Sequence, residues 1–144
     1  MPRVKVQLPD TFLFTTEIPV RITDLNYGAH LGNDALLSIL HEARVQFLNY
    51  VGRPEFNPAT KQGHIMADVA IEYKGEGFYG DTLRIQMAAD DLSKYGFDIV
   101  YRVTNQHGQE VARAKTGMLG FDYNTRKLLP LTEEATRRLR GELG

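Results

Sequence analysis

Apolar and polar positions alternate at two different periods along this chain. Between residues 12 and 23, FLFTTEIPVRIT, Ile18, Val20 and Ile22 alternate with Glu17, Pro19 and Arg21, the two-residue period of a strand with one buried face. Pro19 has no N–H to give to a ladder, so the strand belongs at an edge or a bulge. Beyond a loop of glycine, asparagine and aspartate the period becomes helical. Leu36, Leu37, Leu40, Ala43, Phe47, Leu48 and Val51 share one face, with Ser38, Glu42, Gln46 and Asn49 largely opposite. Gly32 or Asn33 can cap this helix, and Gly52 followed by Pro54 ends it. About 19 residues would span roughly 28 Å, enough to cross a broad sheet.

Residues 53–63, RPEFNPATKQG, have loop composition. Four strand-like runs come next with no second long helical period: HIMADVAIEYKG, GDTLRIQMAADDLS, YGFDIVYRVTNQ and QEVARAKTGMLGFDY. NQHGQ marks a hairpin turn in which Gly108 takes positive φ, and EGFYGDT and SKYG mark weaker turns. The tail LTEEATRRLRGELG predicts a short helix capped by Thr132, acidic at its start and basic at its end. Strand, long helix and four antiparallel strands make an α+β domain with the helix against one face of a curved sheet. No repeat or linker divides it, so residues 1–144 read as a single domain.

Composition narrows the function. Seventeen Lys and Arg against 18 Asp and Glu leave a net charge of -1, which argues against bulk electrostatic binding of nucleic acid or a membrane surface. The absence of cysteine rules out disulfides, zinc–thiolate sites and a thiol nucleophile. No apolar run resembles a signal peptide or reaches the roughly 20 residues of a membrane span. A cytoplasmic protein is expected. The 4 histidines lack metal-ligand spacing, and no metal or cofactor is expected.

Chemistry concentrates in DLNYGAHLGNDA, residues 24–35. The strand–loop–helix unit RITDLNYGAHLGNDALLSILHEAR resembles the N-terminal motif of hotdog-fold acyl thioesterases, in the branch of hydroxybenzoyl-CoA thioesterase and the plant acyl-carrier-protein thioesterases. That motif runs Arg-x-x-Asp-x-Asp, a Gly/His/Asn loop, a long helix and a Glu near Ala-Arg. IEYKGEGFYGDTLRI, GQEVARAKTGMLGFD and LLPL extend the resemblance over nearly the whole chain. It implies a hotdog fold, a curved antiparallel sheet wrapped around the central helix. It also implies a homodimer or homotetramer with active sites between subunits at the helix N-terminus, and hydrolysis of an acyl-CoA or acyl-carrier-protein thioester.

The chain departs from the motif at Asn26, where close relatives of hydroxybenzoyl-CoA thioesterase carry the catalytic carboxylate. An amide cannot act as base, although it can orient a water. His30 stands where the plant enzymes carry a functional histidine and can serve as base near neutral pH. Asp24, Asp34 at the start of the helix and the helix carboxylate Glu42 are further candidates. Backbone groups around Leu31, Gly32, Asn33 and Asp34 would polarise the thioester carbonyl.

Each residue also has a plainer explanation. Asp24 and Asn26 suit Asx turns, Asn33 an N-cap, Asp34 the helix macrodipole and Glu42 a solvated helix face. Arg44, at the margin of the apolar face, either snorkels or pairs with a carboxylate such as Asp24. His41, His64 and His107 read as flank or loop residues. Arg113, Lys115, Arg126 and Lys127 suit either coenzyme A phosphates or surface solubility. A hotdog protein that binds an acyl thioester without efficient chemistry is the alternative to a hydrolase, and a structural oligomer with an incidental pocket is a third reading.

Overall fold

A computed structural model describes residues 3–143. A seven-stranded antiparallel sheet has the order β1-β4-β5-β6-β3-β2, with β7 paired to β6 beyond β5. The strands are β1 (Phe14–Pro19), β2 (Phe56–Asn57), β3 (Gln62–Tyr73), β4 (Thr82–Asp90), β5 (Gly96–Thr104), β6 (Glu110–Asp122) and β7 (Lys127–Leu129). The long helix α1 spans Asn33–Tyr50 and the short α2 spans Glu133–Leu139. This is the α+β architecture expected of a hotdog fold.

The helix lies where its apolar stripe put it. Leu36, Ile39, Leu40, Ala43, Phe47, Leu48 and Val51 are buried, while Glu42 faces solvent and accepts from Gln46 at 2.8 Å. Leu37, placed on the buried face by its spacing, is only half-buried. The facing layer comes from Leu83, Ile85 and Met87 of β4, Ile99, Tyr101 and Val103 of β5, and Ala112 and Ala114 of β6. Two alanines in β6 give a large helix room to approach closely.

Four local expectations change. The first strand is shorter than residues 12–23, because Ile22–Asp24 turns into a 3-10 helix and Ile22 is exposed. Gly32 is the N-cap of α1, and Asn33 is the first helical residue rather than the cap. Arg44 does not pair with Asp24. It is buried and bound to Glu55, whereas Asp24 binds Arg21. The loop 53–63 contains the two-residue strand β2, and Lys127 with the first two residues of LLPL forms β7.

Other expectations hold. Pro19 closes an edge strand. Gly108 turns the β5–β6 hairpin at φ +77, and its N–H donates to the Asn105 carbonyl at 3.0 Å. Thr132 caps α2 through the Ala135 N–H at 3.0 Å.

Alternation along β3 sends one set of side chains to the helix side of the sheet. His64, Met66, Val69, Ile71 and Tyr73 pair with Gly120, Met118, Thr116, Ala114 and Ala112, the β6 residues whose side is buried under α1. A bulge between Met66 and Asp68 absorbs Ala67 and keeps this face in phase. Met66, Val69 and Tyr73 nevertheless stay 40%, 40% and 49% exposed. The helix covers β4 to β6 and leaves Met66, Val69 and Tyr73 of β3 partly open, while His64 on the same side is buried.

Candidate functional site

The loop before α1 is built by side chains that serve its own backbone. Asp24 is buried, and its two oxygens take the Arg21 backbone N–H at 2.8 Å and the Arg21 guanidinium at 3.1 Å. Burial pushes the Asp24 carboxyl up, but the Arg21 hydrogen bonds and charge together outweigh it and hold the group below the ordinary aspartate value. The Asp24 carbonyl accepts from Gly32 at 2.9 Å. Asp24 therefore ties the loop to the helix start and does not line the cleft.

Asn26 closes the loop on itself. Its side-chain oxygen accepts from the N–H groups of Gly28 at 2.9 Å and His30 at 3.2 Å, and its own N–H donates to the His30 carbonyl at 2.7 Å. The tight turn forces Ala29 to φ +64, a left-handed conformation that costs a residue with a Cβ about 1–2 kcal/mol. His30 is thus held from both sides of its backbone.

The turn between β3 and β4 meets this loop. The Leu31 N–H donates to the Gly77 carbonyl at 2.8 Å, an approach so close that a Cβ on Gly77 would lie 2.9 Å from the Leu31 Cβ. That contact carries Glu76 to His30, with Nδ1 3.3 Å from Oε1. Phe78 packs against the imidazole at 5.4 Å between ring centroids. A carboxylate beside Nδ1 suits the tautomer that carries its proton there and leaves Nε2 as the acceptor.

A cleft of about 360 Å³ opens here, lined by Asn26, His30, Gly32, Asn33, Tyr73 and Glu76 among others. Gly32 has no side chain to cap the helix, so the first N–H groups of α1, on Asn33, Asp34 and Ala35, have no N-cap acceptor. Such donors, at the positive end of the macrodipole, suit a developing oxyanion. The Tyr73 hydroxyl donates to the Asn33 carbonyl at 3.2 Å and pins the helix start to β3. Burial, with Asp34 nearby, raises the Tyr73 pKa.

Of the candidate residues, Asn26, His30, Leu31, Gly32 and Asn33 line one cleft. Asp24, Asp34 and Glu42 are outside its lining, and Glu42 lies on the solvent face of α1. Glu76 and Tyr73 join the site from stretches that read in the sequence as turn and strand. The basic residues late in the chain do not act together. Arg113 binds Glu110, Lys115 lies near Asp68 and Asp98, and Arg126 lies over Phe121. Among the described residues no three His, Asp or Glu side chains converge as a metal would require, and no helix is long and apolar enough to cross a membrane.

Comparison with known proteins bears on the family and the fold. The model of a family described as the thioesterase-like superfamily matches residues 20–139. A 1,4-dihydroxy-2-naphthoyl-CoA hydrolase of Synechococcus elongatus is 32% identical over 101 residues, covering 68% of this chain and 74% of that protein. The crystal structure of a 1,4-dihydroxy-2-naphthoyl-CoA thioesterase from Synechocystis superposes with a TM-score of 0.80 at 21% identity, covering 89% of this chain and 96% of the other. A gentisyl-coenzyme A thioesterase superposes at 0.77 with 14% identity, covering 88% and 99%.

Proposed function

The chain belongs to the thioesterase-like superfamily, and we propose that it hydrolyses the CoA thioester of a hydroxylated aromatic acid. The hydrolase at 32% identity acts on such a compound by its name, which supports both the aromatic acyl group and coenzyme A, rather than acyl carrier protein, as the thiol. The observation that carries the chemistry is the His30–Glu76 pair beside an uncapped helix N-terminus.

In the proposed reaction the thioester carbonyl lies against the N–H groups of Asn33 to Ala35. A water loses its proton to His30 Nε2 as its oxygen bonds the carbonyl carbon. The oxyanion that forms is held by the helix N–H groups. On collapse the carbon–sulfur bond breaks and the thiolate takes the proton from His30, giving free acid and thiol. Glu76 holds the imidazole in one tautomer and stabilises its charge. Asn26 takes no proton and works through the His30 backbone. The enzyme is proposed to act in the cytoplasm as a homodimer, formed along the free edge of β3.

The test is steady-state hydrolysis of an acyl-CoA panel with a thiol-trapping dye. Aryl-CoA thioesters are expected to exceed aliphatic ones in kcat/KM. His30→Ala should lower kcat about 10²-fold or more, the scale of general acid–base catalysis. Undiminished turnover in His30→Ala would remove the imidazole from the mechanism.

A further inference from the structure

A second cavity of about 600 Å³ is lined by His41, Arg44, Glu55, His64, Met66 and Tyr123 among others. Most of its polar groups already have partners. The Arg44 guanidinium donates to one Glu55 oxygen, and the His41 ring meets the other at 2.9 Å. Burial pushes the Glu55 carboxyl up, yet these two neighbours together hold it below the ordinary glutamate value. His64 differs. It is 8% exposed, and its Nδ1 is buried with no hydrogen-bond partner among the described residues. Its ring lies edge-on to Phe97 at 5.5 Å. Burial first, and the Arg53 charge second, push its pKa down to about 4, so the ring is neutral at physiological pH. Beyond a contact with the Pro54 backbone the ring is not committed to another side chain, and it lines the cavity wall with hydrogen-bonding capacity to spare.

Within one protomer this cavity cannot serve the cleft. The eight ladder steps from His64 to Tyr73, the bulge left out, run roughly 26 Å at 3.3 Å per residue, beyond the reach of an aromatic acyl group. A second copy changes the geometry. β2 covers β3 only at Gln62 and Gly63, which leaves an unpaired edge from Met66 to Tyr73 and an open apolar stripe beside it. Such an edge is completed by antiparallel pairing with itself about a two-fold axis. With the bulged Ala67 passed over, the midpoint of the edge is Ala70. Tyr73 then lies opposite the partner's Met66, and Gly75 opposite the partner's His64. A slip that keeps the pleat in phase shifts by two residues and moves the partner's His64 only to Tyr73 or Gly77. All three positions line the catalytic cleft.

Resting on the aryl-CoA reading, we propose that the acyl ring extends from the cleft of one protomer into this cavity of its partner, where the His64 imidazole hydrogen-bonds a ring hydroxyl. The neutral ring offers a donor or an acceptor according to tautomer, and Met66 and Tyr123 supply apolar walls. His64 is thereby a specificity-determining residue acting in trans.

The experiment compares hydroxynaphthoyl-CoA with naphthoyl-CoA. The native enzyme should prefer the hydroxylated substrate, and His64→Leu should lower that kcat/KM ratio about tenfold or more, the scale expected when a buried hydrogen bond to substrate is lost. His64→Gln, which keeps a polar group, should recover part of it. Mixing the His30→Ala and His64→Leu proteins under exchange then tests the trans arrangement. A mixed dimer carries both defects in one site and none in the other, so hydrolysis of hydroxynaphthoyl-CoA should return to about a quarter of native. A native enzyme active on aliphatic thioesters and inert to both aryl ones overturns the aryl-CoA reading and this inference with it. Aryl-CoA hydrolysis with a selectivity ratio unmoved by His64→Leu, or no recovery on mixing, overturns the inference alone.

Discussion

The Asn26 side-chain oxygen accepts from both Gly28 and His30, so the residue in the position of the absent carboxylate sets where the imidazole stands. Asn26→Ala removes both acceptor contacts while Ala29 still requires its left-handed backbone. Turnover is expected to fall about tenfold through loss of His30 orientation, a smaller effect than removing the base itself. Asn26→Asp keeps an acceptor oxygen in place and should stay within a few-fold of native. Steady-state kcat for the pair checks this; equal losses in both would show that the amide N–H₂, not the loop tether, matters. A second residue-scale prediction concerns His64, whose pKa falls from 6.5 in the unfolded chain to about 4 in the folded protein. Its neutral form contributes stability that is complete above pH 6.5 and is lost as pH falls from 6.5 to 4, in total about 3 kcal/mol. Arg53 and Glu55 are the charged groups facing it. Urea unfolding of the native and His64→Leu proteins between pH 6.5 and 4.5 at fixed protein concentration isolates this imidazole by difference. His64→Leu should flatten that limb.

At the scale of the element, α1 starts at a glycine with no side-chain cap, and in the proposed reaction its free N–H groups hold the thioester carbonyl. Serine at the N-cap normally satisfies the N–H of the second or third helical residue, and glycine there loses only a few tenths of a kcal/mol. Gly32→Ser would supply that acceptor. Its Cβ would meet Asp34 Oδ1 at 2.8 Å, the mobile tip of an exposed side chain that can swing aside. Thermal stability is expected to hold or rise slightly while kcat falls, since a serine oxygen would occupy donors meant for the substrate carbonyl. Circular dichroism melts and kinetics on the same sample check both halves. Elements are also the scale at which the sequence is most legible. The helix shows in seven apolar residues at one period, and the hairpin at Gly108 in a local turn signal. The Asp24–Gly32 loop is legible as a candidate site because its polar residues are neighbours in the chain. Glu76 is not, because it meets His30 across 46 positions through a backbone contact at Gly77, and nothing local in EGFYGDT records that. The pairing of Arg44 with Glu55 is hidden for the same reason. Asp24 reads as a cleft residue only until its bond to Arg21, three positions away, turns it into a brace for the loop.

On the scale of the whole molecule, the concave stripe of Met66, Val69 and Tyr73 is an apolar surface next to an unpaired strand edge, and a monomer with such an edge is prone to self-association. If the dimer closes about Ala70, Val69 of each copy lies beside the axis, diagonally about 7–8 Å from its counterpart. Val69→Arg then brings two like charges into a surface that pairing would bury, where neither has a counter-ion of its own, and a charge buried without a partner is strongly unfavourable. The variant should sediment as a monomer, with native circular dichroism because Val69 lies outside the buried core under α1. The groups proposed for catalysis, Asn26, His30 and Glu76, are all on one chain and are left intact. Hydrolysis of an aryl-CoA should nonetheless fall by at least tenfold, chiefly in KM, because half of the acyl cavity has been removed with the partner. A monomer that kept native kcat/KM would mean that one chain holds the whole site, and would return His64 to a purely structural role.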